Sequence, residues 1–220
     1  TISTIYSLFR LLAPKTQSTL SWINNASLYE QIATLPYILT KYISLCFFPY
    51  PLHMEYHNVF KSIINTYTVV LLLIIMLLIL GFKITNNKKL YGFGIAWFFC
   101  CLIPVSQIFI PLSATLREHW ASLALFGFII AYATILHPLI KSYPKTVYTI
   151  LLIQILLLGT TTIHRNQFWA HPKKLYTNDL KYEPKSFIML NNLGYYYFNK
   201  NEYDKAAHYF YKSIYNAPNH

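Results

Sequence analysis

Arg117-Glu118-His119 and His53-x-Glu55-Tyr56 are the places where this chain gathers side chains able to do polar chemistry. Each run sits at the edge of an apolar stretch, where charges at a membrane boundary usually have a reason. Arg117 would supply a fixed positive charge, His119 a second donor, and Glu118 the group that orients one of them. That set can hold a phosphate through charge-assisted hydrogen bonds. The same three residues also suit helix capping and a loop salt bridge. His53, Glu55 and Tyr56 suit either the lining of a donor or acceptor cavity or the anchoring of a span at the headgroups. The sequence offers no paired carboxylates at an outer membrane surface and no nucleophile beside a base. Metal-ligand spacing and a phosphate-binding glycine loop are missing too. No catalytic residue, metal ligand or cofactor is therefore assigned. Cys46, Cys100 and Cys101 lie in apolar stretches and read as small buried hydrophobes.

The elements that must position these residues are dictated by composition. Of 220 residues 55% are hydrophobic and only 11% charged, against about 25% charged in an ordinary soluble domain. Mean hydropathy is +0.35. An ordinary soluble protein is excluded, and so is a disordered chain, because 20 Tyr and 15 Phe would forgo a large hydrophobic gain by staying unfolded. The net charge of +11 is scattered, with no basic run longer than two residues, so nucleic acid is not the expected partner. The lipid bilayer is.

Four windows without Asp, Glu, Lys or Arg are long enough to cross about 30 Å of hydrocarbon: 63–82, 91–112, 119–140 and 146–163. Pro104 and Pro111 in the second imply a kink or an early exit near Ile110. A further apolar stretch, 33–50, carries Pro36 and Lys41 and either spans or lies as a re-entrant piece. Residues 6–13 read as the tail of an earlier span, and the chain reads as an internal piece of a longer protein. Lys83, Lys88 and Lys89 in one short connection, and Lys141 and Lys145 in another, belong on the cytoplasmic side. The alternating connections and the C-terminal tail then face the non-cytoplasmic side: periplasmic or extracellular in a bacterium, lumenal in a eukaryote. Arg165 and Trp169, at the outer end of the last span, read as interfacial anchors, and His137 as an interface residue. Asn25-Ala26-Ser27 fits a glycosylation sequon.

After residue 163 the pattern turns polar and amphipathic. A 34-residue helix-turn-helix repeat laid on 187–220 places Leu190, Leu193, Gly194, Tyr197, Ala206, Phe210, Ser213 and Pro218 at its signature positions. Gly194, Ala206 and Ser213 are small where antiparallel helices touch, and the larger residues fill the space between them. Asn199-Lys200-Asn201-Glu202 supplies the turn. Residues 164–186 read as a connector and a degenerate half repeat, with Pro184 lying 34 residues before Pro218. One repeat cannot bury its own faces, so the array is expected to continue or to dock on something else. Tyr195, Tyr196, Tyr203, Tyr209 and Tyr211 are candidates for a peptide groove. The expected fold class is all-α: a polytopic transmembrane bundle (1–163) followed by a tetratricopeptide-repeat hairpin.

The collinear order of these pieces resembles the C-terminal half of the membrane region of the transmembrane and tetratricopeptide-repeat O-mannosyltransferases and their bacterial relatives, in the GT-C glycosyltransferase superfamily. Tyr6-Ser7-Leu8-Phe9-Arg10 is similar to the family's Y-L-x-x-R, and Tyr42 to Leu52 to its Y-L-x-x-L-x-x-P-x-x-L. Ile103-Pro104-Val105-Ser106 resembles a proline-serine turn. Glu118 to Gly127 resembles E-(R/H)-(Y/W)-L-Y-L-P-S-x-G, with Ala121, Ser122 and Ala124 departing from it, and His164-Arg165-Asn166 with Trp169 resembles R-N-x-x-W. The resemblance implies transfer of a sugar from a polyprenyl-phosphate donor, with Arg117 and His119 on the phosphate and the repeats presenting a protein or glycan acceptor. It also implies a catalytic acid in a first external loop, to which nothing here corresponds, so the chain as given is expected to be catalytically incomplete. An oligosaccharide ligase with an attached array is a related alternative. A non-catalytic membrane scaffold whose repeats recruit partners is the alternative from another class.

Overall fold

The structure, a computed structural model, describes residues 26–108, 112 and 114–217. The readings placed on residues 6–13, Asn25, Pro111 and Pro218 lie outside the described residues. The described chain is all-helical: α1 (Leu28–Phe47), α2 (Thr66–Ile84), α3 (Lys88–Leu102), α4 (Ser122–Ser142), α5 (Pro144–Trp169), α6 (Pro172–Tyr182), α7 (Phe187–Phe198) and α8 (Tyr203–Asn216). Four of these, with the short 3-10 turns that extend α3 and α4, are long and apolar enough to cross a membrane. The chain is on this ground a helical membrane protein.

Local chemistry sets the ends of the spans. Asn65 accepts from the Thr68 amide and starts α2 slightly later than the apolar window does. The second span stops being α-helical at Leu102 and runs into a 3-10 turn containing Pro104, earlier than the exit expected near Ile110. Past that turn Gln107 is fully buried at a positive φ of 66°. Its amide donates to the carbonyls of Ala114 (2.8 Å) and Thr115 (3.3 Å), and its carbonyl accepts from the Leu112 amide (2.8 Å). The last span runs the other way. Nothing in His164-Arg165-Asn166-Gln167 breaks a helix, so α5 continues six residues past the apolar window, to Trp169, before Pro172 opens α6.

Inside the bundle, α3 and α4 meet backbone to backbone. A methyl group placed on Gly94 would lie 2.7 Å from the Ala131 nitrogen, and one on Gly127 2.5 Å from the Gly94 carbonyl oxygen. Small residues at such a crossing are how membrane helices gain van der Waals contact when lipid is as apolar as their side chains. By contrast α2 is exposed along nearly its whole length, with Gly81 its one buried residue, as suits a helix bathed in lipid.

The stretch that sequence left open between spanning and re-entrant forms most of α1. Ser27 and Glu30 form a capping box that starts α1. Near that start the Ala33 carbonyl accepts from Asn65, and Thr34 Oγ1 accepts from the Phe60 amide (2.9 Å). Further on, Phe47 reaches Phe128 and Tyr132, with ring centroids 4.9 and 5.8 Å away. Those rings lie about 9 and 15 Å along α4 at 1.5 Å per residue. The chain then turns back, and Tyr50 and Leu52 flank Thr160–Phe168 at the end of α5. Ala33, Thr34, Tyr37, Ile38 and Tyr42 bury the inward face of α1 against Tyr56, Phe98, Leu102, Leu116 and Ala124.

Beyond α5 the tail forms a helical hairpin, α7 and α8, with α6 packed on it. Ala206 is buried, a methyl group on Gly194 would lie 2.7 Å from the Phe210 ring, and Ser213 Oγ donates to the Phe187 carbonyl (2.8 Å). Tyr197 and Tyr209 stack with centroids 5.5 Å apart, and Leu193 joins them in a core that Tyr176 and Leu180 of α6 complete.

Candidate functional site

The polar residues singled out by sequence meet at the end of the bundle that carries the long loops. Two loops are stitched together by an antiparallel bridge: the Tyr56 amide donates to the Leu116 carbonyl (3.1 Å) and the Thr115 amide to the Tyr56 carbonyl (2.9 Å). In such a bridge the residue before one partner lies across from the residue after the other, on the opposite face. Pairing 56 with 116 therefore sets Glu55 across from Arg117, and the two form an ion pair.

Glu55 is 3% exposed. Its Oε2 also accepts from Ser186 Oγ (3.0 Å) and lies 3.4 Å from His57 Nε2. Burial alone would raise its pKa. The His57 hydrogen bond, the Arg117 charge and the Ser186 hydroxyl outweigh that and hold the carboxyl below its ordinary value. Glu118 lies alongside, where its Oε1 accepts from the His53 amide (2.6 Å) and from the Tyr56 hydroxyl (3.4 Å). The His53 ring stacks on Tyr182 of α6 at 4.9 Å and lies 3.7 Å from the Tyr56 ring. Burial first, and then the charges of Lys41, Arg165 and His57, lower its pKa from 6.5 to about 4. His53 is thus neutral at pH 7. The buried Tyr56 hydroxyl is pushed up by desolvation and by Glu118.

The tail supplies the rest of the site, which sequence reasoning missed. Asp179 of α6, 2% exposed, accepts from the Met54 amide (2.9 Å) through Oδ2 and from Arg165 Nη1 (3.2 Å) through Oδ1. Burial raises its pKa against the opposing effects of that amide and that guanidinium. Glu183 accepts from the His57 amide (3.1 Å). Four of the chain's seven acids, Glu55, Glu118, Asp179 and Glu183, thus converge on residues 53–57. A signal for Asp179 was present: it shares a helix face with Leu175 and Tyr182, so the apolar side of a lysine-rich helix carries a carboxylate.

Not every expected residue joins. His119 is exposed beside Trp120, ring centroids 6.0 Å apart, and lies outside the network. Arg117 lies 5.8 Å from the Trp120 ring and gives its charge to Glu55, so the loop salt bridge that sequence allowed is the contact the fold makes. Arg165, expected as an interfacial anchor, keeps that relation to Trp169 (5.9 Å) and is also buried in the site. Among the described residues no cluster of three or more His, Cys, Asp or Glu has an arrangement able to hold a metal ion.

Comparison with known proteins adds no further guidance, since no family model, no curated protein and no solved structure matches the chain. The fold and site define a helical membrane protein with four candidate spans, whose tail docks on its loops through buried charge.

Proposed function

We propose that this chain belongs to an integral-membrane glycosyltransferase-like protein that moves a sugar from a polyprenyl-phosphate donor to a protein or glycan acceptor. In this reading α7 and α8 are a tetratricopeptide repeat on the non-cytoplasmic side, and the repeat presents a protein or peptide acceptor to the loop end. The observation that supports it is the convergence of His53, Glu55, Tyr56, Arg117 and Glu118 at the end of a membrane bundle, fixed there by the tail that would carry the acceptor. Burying so many ionisable groups costs stability unless each is paired, and packing alone would hold the helices together. The sequence order of family-like motifs supports the sugar chemistry. Within this chain these residues bind and position, and none is assigned as base or nucleophile.

The second reading is a non-catalytic membrane-anchored repeat scaffold. Tyr211, Ile214 and Tyr215 favour it, because they line one exposed stripe of α8 open to a partner.

Transfer is measured with the full-length protein in proteoliposomes, using polyprenyl-phosphate sugars and a peptide acceptor. Sugar incorporation supports the transferase. Its absence across donors overturns that reading in favour of the scaffold. Sidedness is read in a variant with its three cysteines replaced by Ala. A cysteine at the exposed Lys185 should label from outside intact cells and one at Asn86 should not. The reverse pattern overturns the orientation.

A further inference from the structure

Helix α2 is pinned near its two ends. Toward the loop end Tyr67 packs edge-on against Tyr37 of α1, ring centroids 4.9 Å apart, and Asn65 donates to the Ala33 carbonyl. Toward the other end Phe82 meets Tyr91 of α3 at 4.7 Å, and Gly81, the one buried residue of α2, lies against the same ring. Between these pins a cavity of ≈ 190 Å³ opens between α2 and the paired helices α3 and α4. Ile74 and Leu78 of α2 line it, with Ile95 and Phe99 of α3, Phe128 of α4, and Ile43 near the end of α1.

The wall of this cavity offers a ligand nothing polar. Its side chains are aliphatic or aromatic, and both tyrosine hydroxyls on it are engaged elsewhere. That of Tyr91 donates to the Leu78 carbonyl (2.9 Å), and that of Tyr132 to Gln154 Oε1 (3.0 Å). Water needs about two to four polar partners and finds none. Left empty, the lining would forfeit dispersion contacts on one side. The volume exceeds the about 150 Å³ of an apolar cavity that stays dry and takes benzene. It suits the end of one hydrocarbon chain and is too small for a whole lipid. Depth agrees with that, because Ile74, Leu78 and Phe128 sit in the middle turns of their spans, not at the ends. Mid-span lies roughly 15 Å from either face of the hydrocarbon layer, where the chains of the two leaflets end. Leu77 lines the cavity and is also 61% exposed on the lipid-bathed side of α2, so the space communicates with the surrounding bilayer.

We propose that this cavity binds the end of an acyl chain of a bilayer phospholipid, entering past Leu77. Acyl chains surround every span in great excess, so a site of this size fills by mass action and needs no selectivity. A bound chain bridges α2 to α3 and α4 at mid-depth. It also meets Phe47, which lines the cavity and packs on Phe128 and Tyr132. The lipid thereby joins the packing that positions the end of α1. This site stands apart from the transferase reading, since neither sugar nor phosphate enters it.

The test uses the full-length protein in phosphatidylcholine nanodiscs doped with a photoactivatable phosphatidylcholine. One preparation carries the diazirine at the end of an acyl chain, the other beside the headgroup. Adducts are mapped by mass spectrometry. The chain-end probe should mark Ile43 and Ile95 more strongly than Ile155, which faces lipid on α5, and the headgroup probe should mark neither. Ile74→Trp fills the space from α2 and Ile43→Trp fills it from α1. Each should abolish the excess labelling of Ile95, whereas Ile75→Trp, on the lipid-facing side, should leave it unchanged. Thermal unfolding shows which variants keep the fold. Farnesol at a small fraction of the phospholipid should displace nothing. Labelling no stronger at Ile95 than at Ile155, or excess labelling that survives both fillings in folded protein, overturns the site. Displacement by scarce farnesol would show selectivity for an isoprenoid chain and overturn the acyl assignment.

Discussion

At the loop end of the bundle, two arginines, four carboxylates and a neutral histidine join segments up to 131 residues apart in sequence. At the other end the helices are joined by short turns. There Thr85 Oγ1 donates to the Thr134 carbonyl (3.1 Å), Asn87 caps α3, and Lys83, Lys88, Lys89, Lys141 and Lys145 are all exposed. The first end depends on exact partners for buried charge, the second on helix caps and solvated cations. Between them the Gly94 and Gly127 crossing relies on close packing, with Trp97 Nε1 donating to the Leu123 carbonyl (3.1 Å) beside it. A crossing that packs this closely needs no ions to hold it, whereas the loop end buries several.

The largest effect should come from breaking that buried charge. Arg117→Ala removes the guanidinium paired with buried Glu55, and should destabilise the loop end by about 3 kcal/mol. Adding Glu55→Gln should restore most of that loss in thermal unfolding. A single variant as stable as the wild type would show the ion pair to be peripheral.

Next comes pH. His53 titrates at about 4 when folded, against 6.5 when free, so the unfolded chain takes up its proton first as pH falls. Its contribution is complete above pH 6.5 and is lost as pH drops toward 4, a total on the order of 3 kcal/mol. The lowered carboxyl of Glu55 adds a loss as pH falls below its ordinary value of 4.5. Asp179 and Glu118, both raised by burial, shift the other way and offset much of both. His53→Phe keeps a ring against Tyr182 and should remove only the His53 share, making stability fall less, or rise, as pH drops from 6.5 to 4. An unchanged profile would assign the acid sensitivity elsewhere.

Gly127→Val should force α3 from α4 and cost about 1 to 3 kcal/mol, equally at pH 5 and pH 8. A pH-dependent loss would show that the crossing and the ionic end are coupled. In the tail, Ala206→Trp should overpack the hairpin by a similar or smaller amount and leave the Gly94 crossing intact. An unaltered tail melting transition would place Ala206 outside the contact.

Spans were legible because each window lacks charge over the length that a bilayer requires. Their ends were not, because Asn65, Gln107 and Pro172 act through a few side-chain hydrogen bonds or the lack of a backbone one. Glu55 and Arg117 were legible as charges, yet their pairing needed the bridge register at Tyr56, which lies in irregular loops without periodicity. Asp179, Glu183 and Ser186 were hidden for another reason. They belong to a segment whose local pattern speaks of helical packing, and their partners at 54, 55 and 57 are supplied only when the tail folds back.

The packing of α1 has a consequence for counting. If α1 is re-entrant it contributes nothing to the parity of crossings, and Leu28 and the tail then share one compartment, with the four candidate spans between them. Deleting α1 would in that case remove Tyr37, Ile38 and Tyr42 from the loop-end core without moving the tail across the bilayer, whereas losing any one of α2 to α5 would invert everything downstream of it.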